Sequence, residues 1–263
     1  MKRAPILTGL IFAVLFAFGC SKSPNEPEAN DTELSDNEQM TIVAAEVASD
    51  NGGIMADVEM MTSLATGSTS AAAKQTGMQV AGVDTTFTNG WISYTLNLWF
   101  YNQEGNELPW YIEGRTDKIV YQGKLSGSNK SARDFLNISL NSSSNLTAED
   151  ILSGMMKLNG AGNNNSTYEI KSAVRSLSVA AASSFSIKDV VVDLSQSQQF
   201  PTSGTMTGTI AGKYTASGPN ASDEQDYSFT FTITFSGGNT VKVTLPSGNS
   251  FTLDLATGDY SAA

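Results

Sequence analysis

The sequence contains no histidine and only one cysteine, Cys20, in 263 residues. Without histidine, the chain cannot build a Ser-His-Asp or Cys-His nucleophile arrangement, a histidine-ligated zinc site or an imidazole general base. A single cysteine cannot form a disulfide within the chain. Carboxylates, lysines, tyrosines and hydroxyl groups are left for chemistry, and we predict a protein that is not an enzyme and holds no cofactor or metal.

Positive charge and long apolar runs are also scarce. Lysine and arginine number 15 against 26 aspartates and glutamates, which gives a formal net charge of −11. Nucleic acids and anionic lipid headgroups both need a basic surface, so this balance argues against them as partners. The main apolar run, residues 6–18, is well short of the roughly 20 residues that a helix needs to cross a bilayer.

Residues 1–19 have the parts of a secretory signal peptide. Lys2 and Arg3 form a cationic start, residues 6–18 form the apolar part, and Gly19 precedes Cys20. We therefore predict that residues 1–19 target the chain for export and are then removed.

The Gly19-Cys20 ending resembles the lipobox of bacterial lipoproteins. In that family the cysteine thiol receives a diacylglycerol, the signal peptide is cleaved before the cysteine, and the new amine is acylated. The resemblance implies that Cys20 is the lipidation site and that its acyl chains anchor the protein, since each buried methylene contributes about 0.8 kcal/mol. Ser21 stands where some bacteria have an aspartate retention signal, which favours the outer membrane of a bacterial cell envelope.

The 244 residues after the signal peptide are predicted to divide into four segments. Residues 20–34 are rich in Pro, Asn, Asp and Glu, which indicates a lipidated flexible tether. Residues 35–66 are predicted to form a helical hairpin and residues 67–84 a low-complexity linker of Gly, Ser, Thr and Ala. Residues 85–263 are predicted to form an antiparallel β domain with a short helix near residues 147–158.

The helical hairpin is predicted from its boundaries and its apolar stripes. Ser35 and Glu38 have the spacing of a capping box at a helix start. Gly52 and Gly53 are expected to end the first helix. Apolar residues recur at helical spacing on both sides of these glycines, at Met40, Val43, Ala44, Val47, Ile54, Val58, Met61 and Ala65.

After residue 84, apolar and polar residues alternate with a period of two, which is typical of half-buried strands. Residues 91–101 and 227–236 are clear examples, and Gly- and Asn-rich turns separate the runs. We predict a mainly β fold of about nine or ten strands in an antiparallel meander, which forms a sandwich or a closed or half-open barrel.

Three features interrupt the alternation. Residues 147–158 carry apolar residues at helical spacing, which predicts a short helix, and the Gly- and Asn-rich residues 160–166 predict a loop. The apolar phase slips by one at Lys188-Asp189, which predicts a β-bulge.

The latter part of the chain, from residue 102 to residue 255, resembles uncharacterised β-rich bacterial lipoproteins of unknown function, and that resemblance implies no activity.

The aromatic residues Trp91, Trp99, Tyr101, Trp110 and Tyr111 are the candidate ligand surface. They include all three tryptophans of the chain within twenty residues. Such rings stack on sugars or line apolar cavities, and Tyr and Trp also offer a polar group. The alternative is that the cluster fills the core beneath the helical hairpin.

Carboxylates are the other candidates. Glycoside hydrolysis needs two of them about 5 to 9 Å apart. The candidate pairs for this role are Asp189 with Asp193 and Asp254 with Asp259. The candidate calcium ligands are Asp223, Glu224 and Asp226. The alternative is that all of them are solvated.

These observations favour a lipid-anchored cell-envelope protein with a non-enzymatic β-rich binding or scaffold domain. One alternative is a carrier that holds a lipid or other apolar ligand in a barrel or half-barrel cavity lined by helices and sheet. A second alternative is a carboxylate-dependent, glycan-active enzyme, which requires two inward carboxylates in one cleft. The ligand would be apolar in the first alternative and a glycan in the second.

Lipidation of Cys20 is directly testable. We expect mass spectrometry of the N-terminal peptide, after expression in a bacterium and membrane extraction, to find acyl chains on Cys20 as the first residue. The Ser21→Ala variant should be lipidated in the same way, because it keeps the cysteine. An unmodified Cys20 in the membrane-extracted protein would contradict the prediction.

Overall fold

The computed structural model describes residues 34–66, 82, 85–130, 136–171, 176–195, 200–217 and 222–263. The signal peptide, Cys20, nearly all of the tether and almost all of the linker lie outside these residues. The described chain begins with two helices, α1 (Asp36–Val47) and α2 (Ile54–Ala65), joined by a 3₁₀ turn at Ser49–Asn51. In the described part of the chain, no helix is both long and apolar enough to span a bilayer.

The helical hairpin is confirmed, and its boundaries follow the predicted signals. The amide of Ser35 donates to Glu38 Oε2 at 2.9 Å, and the amide of Glu38 donates to Ser35 Oγ at 3.4 Å, which completes the capping box. Gly52 has a φ of +74°, a left-handed conformation that favours glycine. A Cβ at Gly53 would lie 2.5 Å from the carbonyl oxygen of Glu46, so this close turn between the helices requires glycine.

The twelve strands of the described residues form one antiparallel sheet. Its order is β1-β2-β4-β5-β6-β7-β8-β9-β10-β11-β12, with β3 paired to β2 beside this path, and the sheet is not closed. An antiparallel meander is therefore confirmed, as one open sheet and neither a two-sheet sandwich nor a closed barrel. The strands are β1 (Thr85–Asn89), β2 (Ile92–Tyr101), β3 (Glu107–Leu108), β4 (Lys118–Lys130), β5 (Leu136–Glu149), β6 (Met155–Lys171), β7 (Ser176–Asp193), β8 (Pro201–Ser217), β9 (Ser222–Thr234), β10 (Thr240–Thr244), β11 (Ser250–Asp254) and β12 (Tyr260–Ala262).

The sheet curves around the helical hairpin. Eleven strands side by side would span about 50 Å if flat, whereas two helices cover only about 20 Å. Inward side chains are nevertheless buried from β2 to β11. Polar contacts also span the sheet from its third strand, where Tyr121 on β4 contacts α2, to its last strand, where Tyr260 on β12 contacts α1. We call the side that holds the helices the concave face, and the other side the outer face.

The predicted short helix near residues 147–158 is wrong. Residues up to Glu149 continue β5, and the chain turns through Asp150, whose φ is +61°, into a single 3₁₀ turn at Ile151–Ser153. The apolar spacing arose because Ile151 and Leu158 are buried from the two sides of a hairpin, while Met155 is exposed.

The loop predicted at residues 160–166 is also wrong, because these residues lie within β6. Their glycines and asparagines reflect the closeness of α2 and α1. A Cβ at Gly162 would lie 2.9 Å from Ile54 Cδ1, and Asn164 donates a hydrogen bond to Glu46. The side chains are small or polar because the strand passes directly beneath the helices.

The predicted β-bulge at Lys188-Asp189 is confirmed. The pairing of β7 with β8 shifts register between Lys188 and Val191, and Asp189 has a φ of +51°. The side chain of Asp189 forms an ion pair with Lys157 at 2.8 Å on the outer face. The bulge therefore moves Val190 and Val192 into the inward phase, where both are buried.

The contact of β12 with α1 can be tested at one hydroxyl. The hydroxyl of Tyr260 lies 2.6 Å from Thr41 Oγ1 and donates to the carbonyl of Asn37 at 3.0 Å. Removing it in the Tyr260→Phe variant should lower the free energy of unfolding by about 1 kcal/mol, measured by urea denaturation. Tyr101→Phe is the matched control, because the Tyr101 hydroxyl has no hydrogen-bond partner among the described residues; equal losses in both variants would contradict the assignment.

Candidate functional site

A group of buried polar side chains crosses the centre of the concave face. We call it the polar strip. Its members come from four neighbouring strands, β4 to β7, and face the helices. They are Tyr121, Ser142, Ser144, Asn164, Ser166, Tyr168 and Ser183.

The strip follows from the inward phase of the strands. Along β5 the buried positions run Leu140, Ser142, Ser144 and Leu146, so two serines occupy places that apolar residues hold elsewhere. Asn164 pairs directly with Ser142 on one side and with Ser183 on the other, which makes the polar groups contiguous. Buried polar groups are costly unless they are hydrogen-bonded, so the strip requires partners from the helices.

Glu46, in the last turn of α1, is the main partner. Its carboxyl group is fully buried and accepts hydrogen bonds from Asn164 Nδ2 at 2.9 Å and from the Tyr168 hydroxyl at 2.8 Å. The hydroxyls of Ser166 and Ser183 also donate to it. Burial raises the pKa of Glu46 above its usual value, and these hydrogen bonds only partly oppose the rise.

Asp57, in the first turn of α2, is the second partner. The Tyr121 hydroxyl donates to Asp57 Oδ1 at 2.6 Å, whereas Oδ2 has no hydrogen-bond partner among the described residues. Burial raises the pKa of Asp57 to about 6. The Ser144 hydroxyl is near enough to lower that pKa, although its oxygen makes no hydrogen bond of normal geometry with a described residue.

No positive charge compensates either carboxyl group in the described part of the chain. The groups that act on their pKa values are neutral hydrogen-bond donors and burial, not lysine or arginine. Around them, burial first and the carboxylate second hold the pKa of Tyr121 and Tyr168 well above the usual value. Burial therefore raises the pKa of both carboxyl groups, to about 6 for Asp57.

The enclosed position of both carboxyl groups determines what they can do. Glu46 and Asp57 each have 0% of their surface exposed, and the helices and the sheet cover them from opposite sides. In this arrangement neither can reach a substrate as a general acid or base. Their contacts instead attach α1 to β6 and β7, and α2 to β4.

The carboxylate pairs considered from the sequence are elsewhere. Asp254 accepts the amides of Ala256 and Thr257 at 2.9 and 3.0 Å and so holds the turn before β12, where Asp259 also lies. Asp189 pairs with Lys157, and Asp193 accepts from Ser195 at the end of β7. These roles stabilise turns and the bulge.

The acidic residues considered for calcium lie on a strand. Asp223, Glu224 and Asp226 belong to β9, where Glu224 forms an ion pair with Lys213 of β8. The described residues include no cluster of three or more His, Cys, Asp or Glu side chains that could hold a metal ion.

The five aromatic residues of the predicted ligand surface are not brought together into one platform. Trp99 lies on the outer face of β2, whereas Trp91, just before β2, packs against the core, and a Cβ at Gly127 of β4 would lie 2.9 Å from its ring. Tyr101 follows Trp99 on the same face. Trp110 is 53% exposed in the segment between β3 and β4. Tyr111 belongs to the interior: its ring packs edge-on against Phe100, and its hydroxyl donates to the Ala65 carbonyl at 2.7 Å.

A polar depression of about 200 Å³ lies on the outer face. Asn97, two residues before Trp99 on the same face, lines it, and Asn97 Oδ1 is buried without a hydrogen-bond partner among the described residues. Lys124 is its one charged side chain. The lining residues are Thr95, Asn97, Gln122, Gly123, Lys124, Ser143, Ser144 and Asn145.

Sequence reasoning missed Glu46, Asp57 and the polar strip. A signal was present, since Glu46 and Asp57 are acidic residues inside otherwise apolar helical segments. On the strands, Ser183 lies between Ala181 and Phe185 in the inward phase. Apolar surroundings for a carboxylate and inward serines on a strand each indicate a buried polar contact, but only the fold shows that they meet.

Comparison with known proteins gives no relative. No family model, no curated protein and no solved structure matches the chain.

The role of the strip can be tested with two adjacent serines of β7. Ser183 faces inward and donates to Glu46, while Ser184 faces outward and is exposed. We expect Ser183→Ala to lower the free energy of unfolding by about 1.5 to 3 kcal/mol, because it removes a donor to a buried carboxyl group. Ser184→Ala should change it by less than about 0.5 kcal/mol, measured in the same urea series. Indistinguishable variants would show that the strip does not hold the helices.

Proposed function

We propose that this protein is a lipid-anchored component of the bacterial cell envelope whose β domain binds a neutral glycan at the outer-face depression. Acylated Cys20 would hold the protein on the membrane, and the outer membrane is the expected location. The domain acts as a binding module and not as an enzyme.

The observation that carries this proposal is the composition of the depression. Amide side chains both donate and accept hydrogen bonds, as sugar hydroxyls do, and Asn97, Gln122 and Asn145 present three of them in one place. The unpaired Asn97 Oδ1 offers an acceptor that is already buried. Trp99, next to Asn97 on the same face, supplies an aromatic ring on which a sugar can stack.

A binding role fits the carboxylates better than a glycan-cleaving one. A glycosidase needs two carboxyl groups on either side of the bond that it breaks. Glu46 and Asp57 are enclosed on the concave face, on the opposite side of the sheet from the depression. The lining of the depression contains no carboxylate.

The carrier alternative is favoured by one observation, the covering of an open sheet by a helical hairpin through a polar interface. In the described arrangement the helices themselves fill the concave face, where Met40, Val43 and Met61 are fully buried. A carrier would therefore need the hairpin to move before an apolar ligand could enter. This requirement makes the glycan-binding proposal the simpler of the two.

The proposal is tested by titrating the full chain, in mild detergent, with the N-acetylglucosamine tetrasaccharide, a soluble neutral glycan, and following the heat of binding. We expect Gln122→Ala, which removes a side chain that lines the depression, and Trp99→Ala, which removes the ring two residues from Asn97 on the same face, each to weaken binding at least about tenfold. Trp110→Ala is the matched control, since it removes an exposed tryptophan outside the depression.

Two results would contradict the proposal. Binding that the depression variants leave unchanged would place the ligand elsewhere. Absence of binding, together with a lipid mass that native mass spectrometry finds on the protein and that is lost on denaturation, would favour the carrier instead.

A further inference from the structure

The interface between the hairpin and the sheet contains two carboxyl groups that no cation neutralises in the described part of the chain. Glu46 receives four hydrogen bonds, and Asp57 receives one from Tyr121 while its second oxygen is unpaired. A buried, ionised carboxylate without a cation is strongly unfavourable, whereas its protonated form is not. Burial opposes ionisation of both groups more strongly than these hydrogen bonds favour it, so the closed arrangement favours the protonated groups.

We propose that Glu46 and Asp57 form a carboxyl latch: in the protonated state they hold α1 and α2 on the concave face, and loss of their protons releases the hairpin while the sheet stays folded. The inference is independent of the glycan proposal, because it concerns the opposite face of the sheet.

The tyrosines around Glu46 and Asp57 do not change charge at physiological pH. Besides burial, the negative charge of Glu46 raises the pKa of Tyr168 on β6 and of Tyr227 on β9. The negative charge of Asp57 does the same to Tyr94 on β2 and Tyr121 on β4. Burial raises the pKa of all four tyrosines, so they remain neutral at physiological pH. Glu59 on α2 adds negative charge near Tyr94, and burial raises its own pKa as well.

The helix dipoles shift the pKa values of Glu46 and Asp57 in opposite directions. Glu46 lies in the last turn of α1, where the negative end of the helix dipole further favours the protonated form. Asp57 lies in the first turn of α2, where the positive end favours the carboxylate. The dipole of α1 therefore adds to the rise in the pKa of Glu46, whereas the dipole of α2 opposes the rise in the pKa of Asp57.

The backbone hydrogen bonds that pair the strands do not involve the hairpin. Among the described residues, two backbone hydrogen bonds join it to the sheet, from Ser49 to Leu255 at 3.0 Å and from Asp50 to Ala256 at 3.1 Å. The remaining attachments are side-chain contacts, whereas the strands are held to one another by continuous backbone ladders. Opening would expose the polar strip with its apolar surroundings, a surface suited to an amphipathic ligand.

The direction of the pH effect follows from linkage. Asp57 has a pKa of about 6 when the hairpin is closed and an ordinary value of 3.8 when it is open, so the closed form holds the proton more tightly. Protonation at low pH therefore favours closure, and this advantage is lost as the pH rises from about 4 through about 6. Asp57 alone should increase the open population about tenfold between about pH 5 and about pH 7.5.

Hydrogen exchange of the full chain in mild detergent tests the proposal, with exchange times corrected for the intrinsic effect of pH. Peptides covering α1 and α2 should lose protection about tenfold or more between about pH 5 and about pH 7.5, while peptides of β8 and β9 should not. Asp57→Asn should reduce this pH dependence, and adding Glu46→Gln should reduce it further. Asp50→Asn, an exposed aspartate between the helices, is the matched control and should keep it.

Three outcomes would overturn the latch. One is equal protection of α1 and α2 at both pH values in the unaltered chain, which requires no variant to fold. Another is loss of protection in the helices and in β8 and β9 together, which would mean global unfolding. The third is an undiminished pH dependence in the double variant.

Discussion

Burying the inner face of a single open sheet is the constraint on which the whole structure depends. A sheet that closes on itself or pairs with a second sheet covers its own apolar face. Here the sheet does neither, and two helices of twelve residues each supply the cover. The sheet must therefore curve. Glycine is needed where a strand and a helix come close, as at Gly162 beside Ile54. To cover the sheet, α1 contacts β12 and α2 contacts β4.

The centre of this interface is polar, which is unusual for a contact that holds a fold together. A fully apolar centre would bury the same area without the cost of placing Glu46 and Asp57 away from water. In exchange, hydrogen bonds from Tyr121, Ser183 and Asn164 fix the position of each helix on particular strands. An interface of this kind fixes the helices on particular strands and depends on the protonation of its carboxyl groups. The outer face, in contrast, presents uncharged amides and hydroxyls to a ligand.

Much of the fold follows from local patterns, and the candidate site does not. The capping box at Ser35, the glycine stop and the bulge at Lys188-Asp189 depend on neighbouring residues, so the sequence predicts them. The false helix near residues 147–158 arose because a hairpin that buries one residue from each strand imitates helical spacing. The contact of Glu46 with Ser183 joins residues 137 positions apart, and no local pattern indicates which inward serine meets which carboxylate.

The central claim is that two neutral carboxyl groups hold the helical hairpin on the sheet. The most direct measurement is a pH titration of the carboxyl ¹³C signals of Glu46 and Asp57 in the full chain by nuclear magnetic resonance. The account predicts a pKa of about 6 for Asp57 and a value above the ordinary 4.5 for Glu46. Titration of both groups at the values of exposed side chains would show that they are solvated, and would contradict the account.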